Sequence, residues 1–303
     1  MDIQTIINSR YSVSLALRIG RLLPPSVGHR LADAVGGWLG SLRQTSIVQT
    51  VEANQRVIGG EGLSREELAR RTRATFRQTG RCLYDLYHTA ERPDAILEQV
   101  RFSVGFDRCV EQICSGRQGT LLVCPHLSNF DLAGRAIAFR GIHLLVLSYP
   151  GPPGGYRTQN RLRSVAGLDM APMSIEALRR ATDVLNAGGA VLTGVDRPIA
   201  DSKYRPSFFG QPASLPVFHV RLALKLGLPI TVVACQAQPD GNYQILASDP
   251  IPMQPNPDLV TETVRNAEAV LRVIQEWIRL TPEQWAMFYP VWPEINGQRQ
   301  GEQ

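Results

Sequence analysis

A chain of 303 residues, 44% apolar and 19% charged, has ordinary globular composition and can bury a sizeable core. Its formal charge of +5, carried mainly by Arg, suits a partner with negative charge such as lipid headgroups, phosphates or an acidic carrier protein. Nucleic acid is set aside, because the chain has no zinc finger, RNA-recognition signature or concentrated basic arm.

The five cysteines are Cys82, Cys109, Cys114, Cys124 and Cys235, an odd number with no CxxC pair and no secretory signal. They read as reduced, mostly buried thiols of a cytoplasmic protein. Cys124 and His126 lie close together, but no second ligand pair accompanies them, and no metal is expected. No stretch approaches the roughly 18 uninterrupted apolar residues of a spanning helix. No transmembrane helix is therefore expected.

The chain opens with "IQTIINSRYSVSLALRIGRLLPP". Ile3, Ile6, Ile7, Leu15, Ile19, Leu22 and Leu23 fall at helical spacing with Arg10, Arg18 and Arg21 between them. Such a basic amphipathic helix either lies in a bilayer interface or packs on its own domain, and the pattern leaves both open. Pro24 and Pro25 end it. "SLRQTSIVQTVEANQRVI" predicts a second helix, stopped by Gly59 and Gly60. "LSREELARRTRATFRQTGRCLYDLYHTA" predicts a third, with Ser64 and Glu67 as a capping box. "SVGFDRCVEQICSG" adds a shorter one, so the chain reads as helical to about residue 116.

From residue 117 the pattern changes to short β-like runs separated by helices. Strands are predicted at 120–124, 142–148, 190–194, 229–236 and 243–247, and helices at 129–140, 158–167, 174–187 and 213–226. This alternation predicts an α/β fold, a largely parallel sheet with helices on both faces. "SYPGPPGGYR" reads as a turn or lid without the lysine of a phosphate loop. "DLVTETVRNAEAVLRVIQEWIRL" predicts a long amphipathic helix, and "TPEQWAMFYPVWPE" an aromatic tail. A single domain over 1–303 is expected, in three parts: helices over 1–116, an α/β core over 117–250, and a final helix and tail over 251–303.

In "LLVCPHLSNFDLAG" an apolar run stops at Pro125, His126 follows, and Asp131 comes five residues later. With five His and 27 acidic residues, chance alone gives roughly 0.4 such pairs, so the spacing decides nothing. The context is more informative, because the pair follows a predicted strand and precedes a helix, where open α/β sheets place their ligand sites. There Asp131 can fold back onto His126, accept the Nδ1 proton and leave Nε2 as a general base. No GxSxG is present, which argues for direct attack by a bound hydroxyl on an activated acyl group, with His126 removing its proton. The competing assignment is a loop histidine and a helix-N-terminal acid favoured by the dipole.

"PHLSNFD", "GGAVLTGVDRP", "FFGQPASLPVFHVRLALKLGLPI" and "PEQWAMFYPVWPE" resemble the bacterial lipid A biosynthesis acyltransferase family, within the HxxxxD glycerolipid acyltransferase superfamily that includes the mycobacterial phosphatidylinositol mannoside acyltransferases. "LLPPSVGHRLADAVGGWLG" and "VEANQRVIGGEGLSREELARRT" resemble its helical opening region, so the likeness spans nearly the whole chain. It implies an α/β core flanked by helices and a peripheral enzyme on the cytoplasmic face of the bacterial inner membrane. The implied reaction moves a fatty acyl chain from an acyl carrier protein or coenzyme A thioester to a lipid hydroxyl, without metal or other cofactor. By resemblance His126 is the base, Asp131 its partner and Asp196 a second catalytic acid. Asn129, Arg161, Arg163, Arg197, Lys203 and Arg205 are implied substrate-binding residues, the cations as phosphate or carrier-protein contacts. Phe208 and Phe209 are candidates for an acyl channel.

The sequence also departs from the family pattern. Relatives acting on lipid A commonly carry an N-terminal transmembrane segment and a basic C-terminal run; neither pattern is seen here, and "TGVDRP" stands in place of the FPEGT motif of the phosphatidic-acid-forming branch. The acceptor is therefore open between a lipid A precursor, a phosphatidylinositol mannoside and another membrane glycolipid. A thioesterase or lipase in which water replaces the acceptor, and a non-catalytic lipid-binding protein, are the rival functions.

Overall fold

The apolar run before His126 forms the central strand of the computed structural model, which describes residues 10–150, 167–200 and 202–294. In chain order the elements begin with α1 (Arg10–Leu22), α2 (Pro25–Leu39), α3 (Ser46–Gly59), α4 (Arg65–His88), α5 (Pro93–Gln99), β1 (Val100–Phe102) and α6 (Val104–Ser115). The α/β part follows as β2 (Thr120–Cys124), α7 (Phe130–Phe139), β3 (Leu144–Ser148), β4 (Leu168–Pro172), α8 (Ile175–Asn186) and β5 (Ala190–Gly194). A short hairpin of β6 (Ser207–Phe208) and β7 (Gln211–Pro212) leads to α9 (Phe218–Leu226), β8 (Ile230–Ala237), β9 (Tyr243–Ala247), α10 (Leu259–Leu280) and a 3-10 turn at Pro282–Gln284.

Seven strands form one sheet in the order β1-β9-β8-β2-β5-β3-β4, parallel except where β9 returns antiparallel to β8. β2 pairs with both β5 and β8, and Thr120 to Val123 are all buried. A strand covered on both faces has no use for polar alternation, which explains the unbroken apolar run. Leu121, Val123 and Val191 pack on one face with α8, α9 and α10, and Leu122, Leu144 and Leu192 on the other with α4 to α7. The chain is thus α/β with a mostly parallel sheet between two helical layers, as expected.

The predicted strands lie within two residues of the observed ones. β1, β4 and the β6/β7 hairpin were not expected, since three-residue and two-residue strands carry no readable period and "LDMAP" offers one Leu and a Pro. β1 also interrupts the region read as wholly helical. The helix expected over 213–226 begins only at Phe218, because Pro216 restricts the residue before it and lacks an N–H. The helix expected at 158–167 lies almost wholly outside the described residues, as do Ile3, Ile6 and Ile7. The capping residue Ser64 accepts from the Glu67 N–H at 3.1 Å, and the Glu67 carboxylate pairs with Arg70 and Arg71. Among the described residues no helix is long and apolar enough to cross a membrane.

His219 on α9 is buried, and among the described residues neither ring nitrogen has a hydrogen-bond partner. Burial lowers its pKa to about 3, so the folded protein keeps the ring neutral where the unfolded chain binds a proton. Stability is then complete above the unfolded value near 6.5 and falls by about 1.4 kcal/mol per pH unit on acidification towards 3. His219→Phe is expected to flatten that slope in urea unfolding between pH 7 and pH 4.5. Equal slopes in both proteins would refute the assignment.

Candidate active site

The site is assembled at the carboxyl ends of two paired strands. Cys124 of β2 stands opposite Gly194 of β5, and two residues beyond each the chain places His126 and Asp196. The Asp196 carboxylate accepts from the His126 backbone N–H at 2.8 Å and lies 2.6 Å from its Nδ1. Its Oδ2 also accepts the Trp285 indole N–H at 2.7 Å. Asp196 is fully buried, which by itself pushes its carboxyl up; the facing His126 ring and these hydrogen bonds outweigh burial and hold it below the ordinary carboxylate value.

The Nδ1 contact expected of Asp131 is therefore made by Asp196. Five residues of separation put Asp131 in the first turn of α7, where the helix dipole favours an acid, whereas strand pairing brings Asp196 beneath the imidazole. Asp131 and His126 line the same cavity. With an Nδ1–H donated to Asp196, the Nε2 lone pair of His126 is left for a proton. Phe130 packs edge-on against the ring with centroids 5.0 Å apart, and a Cβ on Gly194 would lie 3.2 Å from the His126 Cε1. A side chain at 194 would crowd the imidazole.

The C-terminal tail forms part of the site. Leu127 bridges to Trp285, Ser128 donates to the Gln284 carbonyl, and Ala286 donates to the His126 carbonyl. Asn54 on α3 donates to the carbonyls of Met287 and Tyr289, and the Gln284 amide both donates to and accepts from the Ala237 backbone. The aromatic richness of this segment was legible, but its bond to Asp196 was not, since 89 residues separate the two. Ser128 takes a left-handed φ of 52° in the turn between β2 and α7.

A cavity of about 820 Å³ opens at His126. Phe130, Ala133, Gly134 and Ile137 of α7 form one wall, and Val146, Leu168, Leu192 and Val233 of the sheet face it. Arg197, which lines the cavity, lies between the rings of Tyr149 and Tyr289, 3.8 Å and 3.9 Å from their centroids. Lys203 and Arg221 line the same cavity on either side of Tyr204, whose hydroxyl accepts from Arg221 at 3.3 Å. Arg221, Tyr149 and Tyr204 were not singled out from the sequence.

Three expected roles change. Asn129 is buried and caps α7, accepting from the Leu132 N–H while its amide donates to the Cys82 carbonyl at 2.9 Å, so it is a cap and not a substrate contact. Arg205 pairs with Glu294 at 2.8 Å and does not line the cavity. Phe208 and Phe209 pack against Trp285 and Trp292 in the opposite core and do not line an acyl channel. Arg161 and Arg163 lie outside the described residues. Among the described residues no group of His, Cys, Asp and Glu is placed to hold a metal.

Trp285→Phe keeps an aromatic ring but removes the indole N–H donor from a buried carboxylate, a loss expected to cost about 1.5–3 kcal/mol at pH 7 beyond the pH-independent packing lost with the smaller ring. Because the Asp196 pKa is lowered on folding, its stabilisation is full above the unfolded value of about 3.9 and disappears as pH falls below it. The cost of Trp285→Phe, measured by denaturant titration, should therefore shrink on acidification. A pH-independent cost would assign it to ring packing instead.

The sequence profile described as bacterial lipid A biosynthesis acyltransferase matches residues 4–294. Among curated proteins no match is found. With the profile spanning nearly the whole chain, the protein belongs to the bacterial lipid A biosynthesis acyltransferase family.

Proposed function

We propose that the protein transfers a fatty acyl chain from an acyl carrier protein or coenzyme A thioester to a hydroxyl of a membrane glycolipid, with His126 as the general base. The observation that carries this reading is the imidazole fixed by Asp196 at 2.6 Å and lining a mainly apolar cavity of about 820 Å³. His126 Nε2 takes the acceptor's hydroxyl proton as that oxygen attacks the thioester carbonyl. The C–O bond forms, the C–S bond breaks, and the leaving thiolate takes the proton from the imidazolium. Asp196 stabilises the charged ring throughout and stays ionised. Asp131, which lines the same cavity, orients the acceptor. Arg197 stacked between two tyrosines, together with Lys203, gives the cavity a positive edge suited to a substrate phosphate.

Docking at an anionic bilayer completes the reading. Leu15, Ile19 and Leu22 on α1 and Val27, Leu31, Val35 and Trp38 on α2 are all exposed, with Arg18 and Arg30 among them. An apolar stripe edged by cations matches an interface of acyl chains and acidic headgroups. Trp38→Glu is expected to weaken sedimentation with phosphatidylglycerol vesicles several-fold while leaving the far-UV spectrum unchanged. Undiminished sedimentation would remove this surface from the membrane contact.

Incubation with palmitoyl thioester and bacterial lipid vesicles, followed by mass spectrometry, tests the reaction. Wild type should yield an acylated glycolipid, and His126→Ala should lose about 100-fold to 10,000-fold of that rate while remaining folded. Release of free palmitate at a rate indifferent to added lipid would instead identify a hydrolase. Lipid binding unaffected by His126→Ala, with no turnover in wild type, would identify a binding protein.

A further inference from the structure

Lys203 and Arg221 reach the cavity from different parts of the fold, the first from the segment after β5 and the second from α9. Between them stands Tyr204, which lines the cavity as well. Its hydroxyl accepts from the Arg221 guanidinium at 3.3 Å, and the Lys203 Nζ lies 5.0 Å from the centre of its ring. The segment that carries Lys203 and Tyr204 is tied down. Ile199 and Ser214 exchange hydrogen bonds, the Ser202 N–H donates to the Ser214 hydroxyl, and the Ser202 hydroxyl donates to the Tyr204 carbonyl at 2.8 Å.

Two cations that converge on one neutral side chain repel each other, and an anion between them relieves the repulsion. Nearby in sequence, Arg180 and Arg205 each have a carboxylate, in Asp169 and Glu294. Among the described residues neither Lys203 nor Arg221 has a carboxylate within ion-pair distance; the hydrogen bond of Arg221 goes to Tyr204 instead. The phenol also responds to the local charge. Partial burial pushes its pKa up, yet Lys203 and Arg221 outweigh burial and hold it below the ordinary tyrosine value.

An anion seated here meets an ammonium, the remaining N–H groups of a guanidinium and a hydroxyl that can donate. A phosphate monoester carries a charge of about −1.5 to −2 at pH 7, so it gains from both cations at once. A phosphodiester has a single charge and gains less. We infer that Lys203, Tyr204 and Arg221 form a subsite for a terminal phosphate monoester of the substrate, with Arg221 setting the preference for monoester over diester. The inference deepens the acyl-transfer reading above and rests on it. Its chemistry is met by the 3′-phosphate of a coenzyme A donor and by a terminal phosphate on a lipid acceptor.

Binding of unreactive ligands tests this in two arms. Coenzyme A and dephospho-coenzyme A, compared by calorimetric titration, probe the donor. Phosphatidylcholine vesicles containing phosphatidic acid, a monoester, or phosphatidylglycerol, a diester, matched in total charge and compared by cosedimentation, probe the lipid. Wild type should prefer the terminal monoester by about 10-fold in at least one arm, and that arm identifies the source of the phosphate. Arg221→Gln should bring the ratio close to one, and Arg221→Lys, which keeps the charge without the planar fork, should retain part of it. Arg221 is exposed, so both variants should keep the wild-type far-UV spectrum. No preference by wild type in either arm, or a preference that survives Arg221→Gln, would overturn the proposal. Acyl transfer by a wild type that shows no such preference would sink this inference alone. A preference removed by Arg221→Gln in a protein that transfers nothing would sink the transferase reading and leave the phosphate subsite standing.

Discussion

The carboxylate of Asp196 has no exposure to solvent, and three N–H or ring-nitrogen contacts converge on it from two segments of chain far away in sequence. A buried charge of this kind costs several kcal/mol in lost hydration unless strong hydrogen bonds replace the water. His126 and Trp285 replace it. The result ties the exit of the central strand, the exit of its neighbour and the C-terminal tail to one point. The tail in turn is held by Asn54 and Gln55 of α3 through the carbonyls of Pro282, Met287 and Tyr289. The helical first third and the last segment of the chain thus meet behind the imidazole.

The same arrangement explains why the cavity lies where it does. Parallel strands deliver their carboxyl ends to one edge of the sheet, and the chain must leave that edge through loops. The loop after β2 turns sharply at Ser128, whose left-handed backbone is held by the Gln284 carbonyl, and α7 then starts under the Asn129 cap. Small residues on α7, Ala133 and Gly134, leave room between the helix and the sheet that larger ones would fill. The lining joins the cations Arg197, Lys203 and Arg221 to a larger number of apolar side chains, a composition suited to a charged head and an alkyl tail.

The pairing of histidine and acid was misread from the sequence for a physical reason. Sequence distance favoured Asp131, and helix geometry allowed it to approach His126. Hydrogen bonding between β2 and β5 places two exits side by side, and the acid at the same offset beyond its strand reaches Nδ1. Asn129 shows the complementary error: its place within the motif suggested chemistry, yet both ends of its amide are engaged in starting α7 and tying it to α4. Phe208 and Phe209 likewise look suited to a lipid channel by composition, but the hairpin that carries them turns them into the opposite core.

The amino-acid sequence by itself determined the elements with a clear period: the buried strands at 120–124 and 190–194, the capped helix after Ser64, the long helix after Asp258, and the position of His126 at a strand exit. These are local properties, set by side-chain periodicity, capping and proline chemistry within a few residues. Which acid holds His126, why Trp285 belongs to the site and which side chains line the cavity were decided by the tertiary structure alone. Strand order and helix packing bring together residues whose separation along the chain carries no trace of their contact.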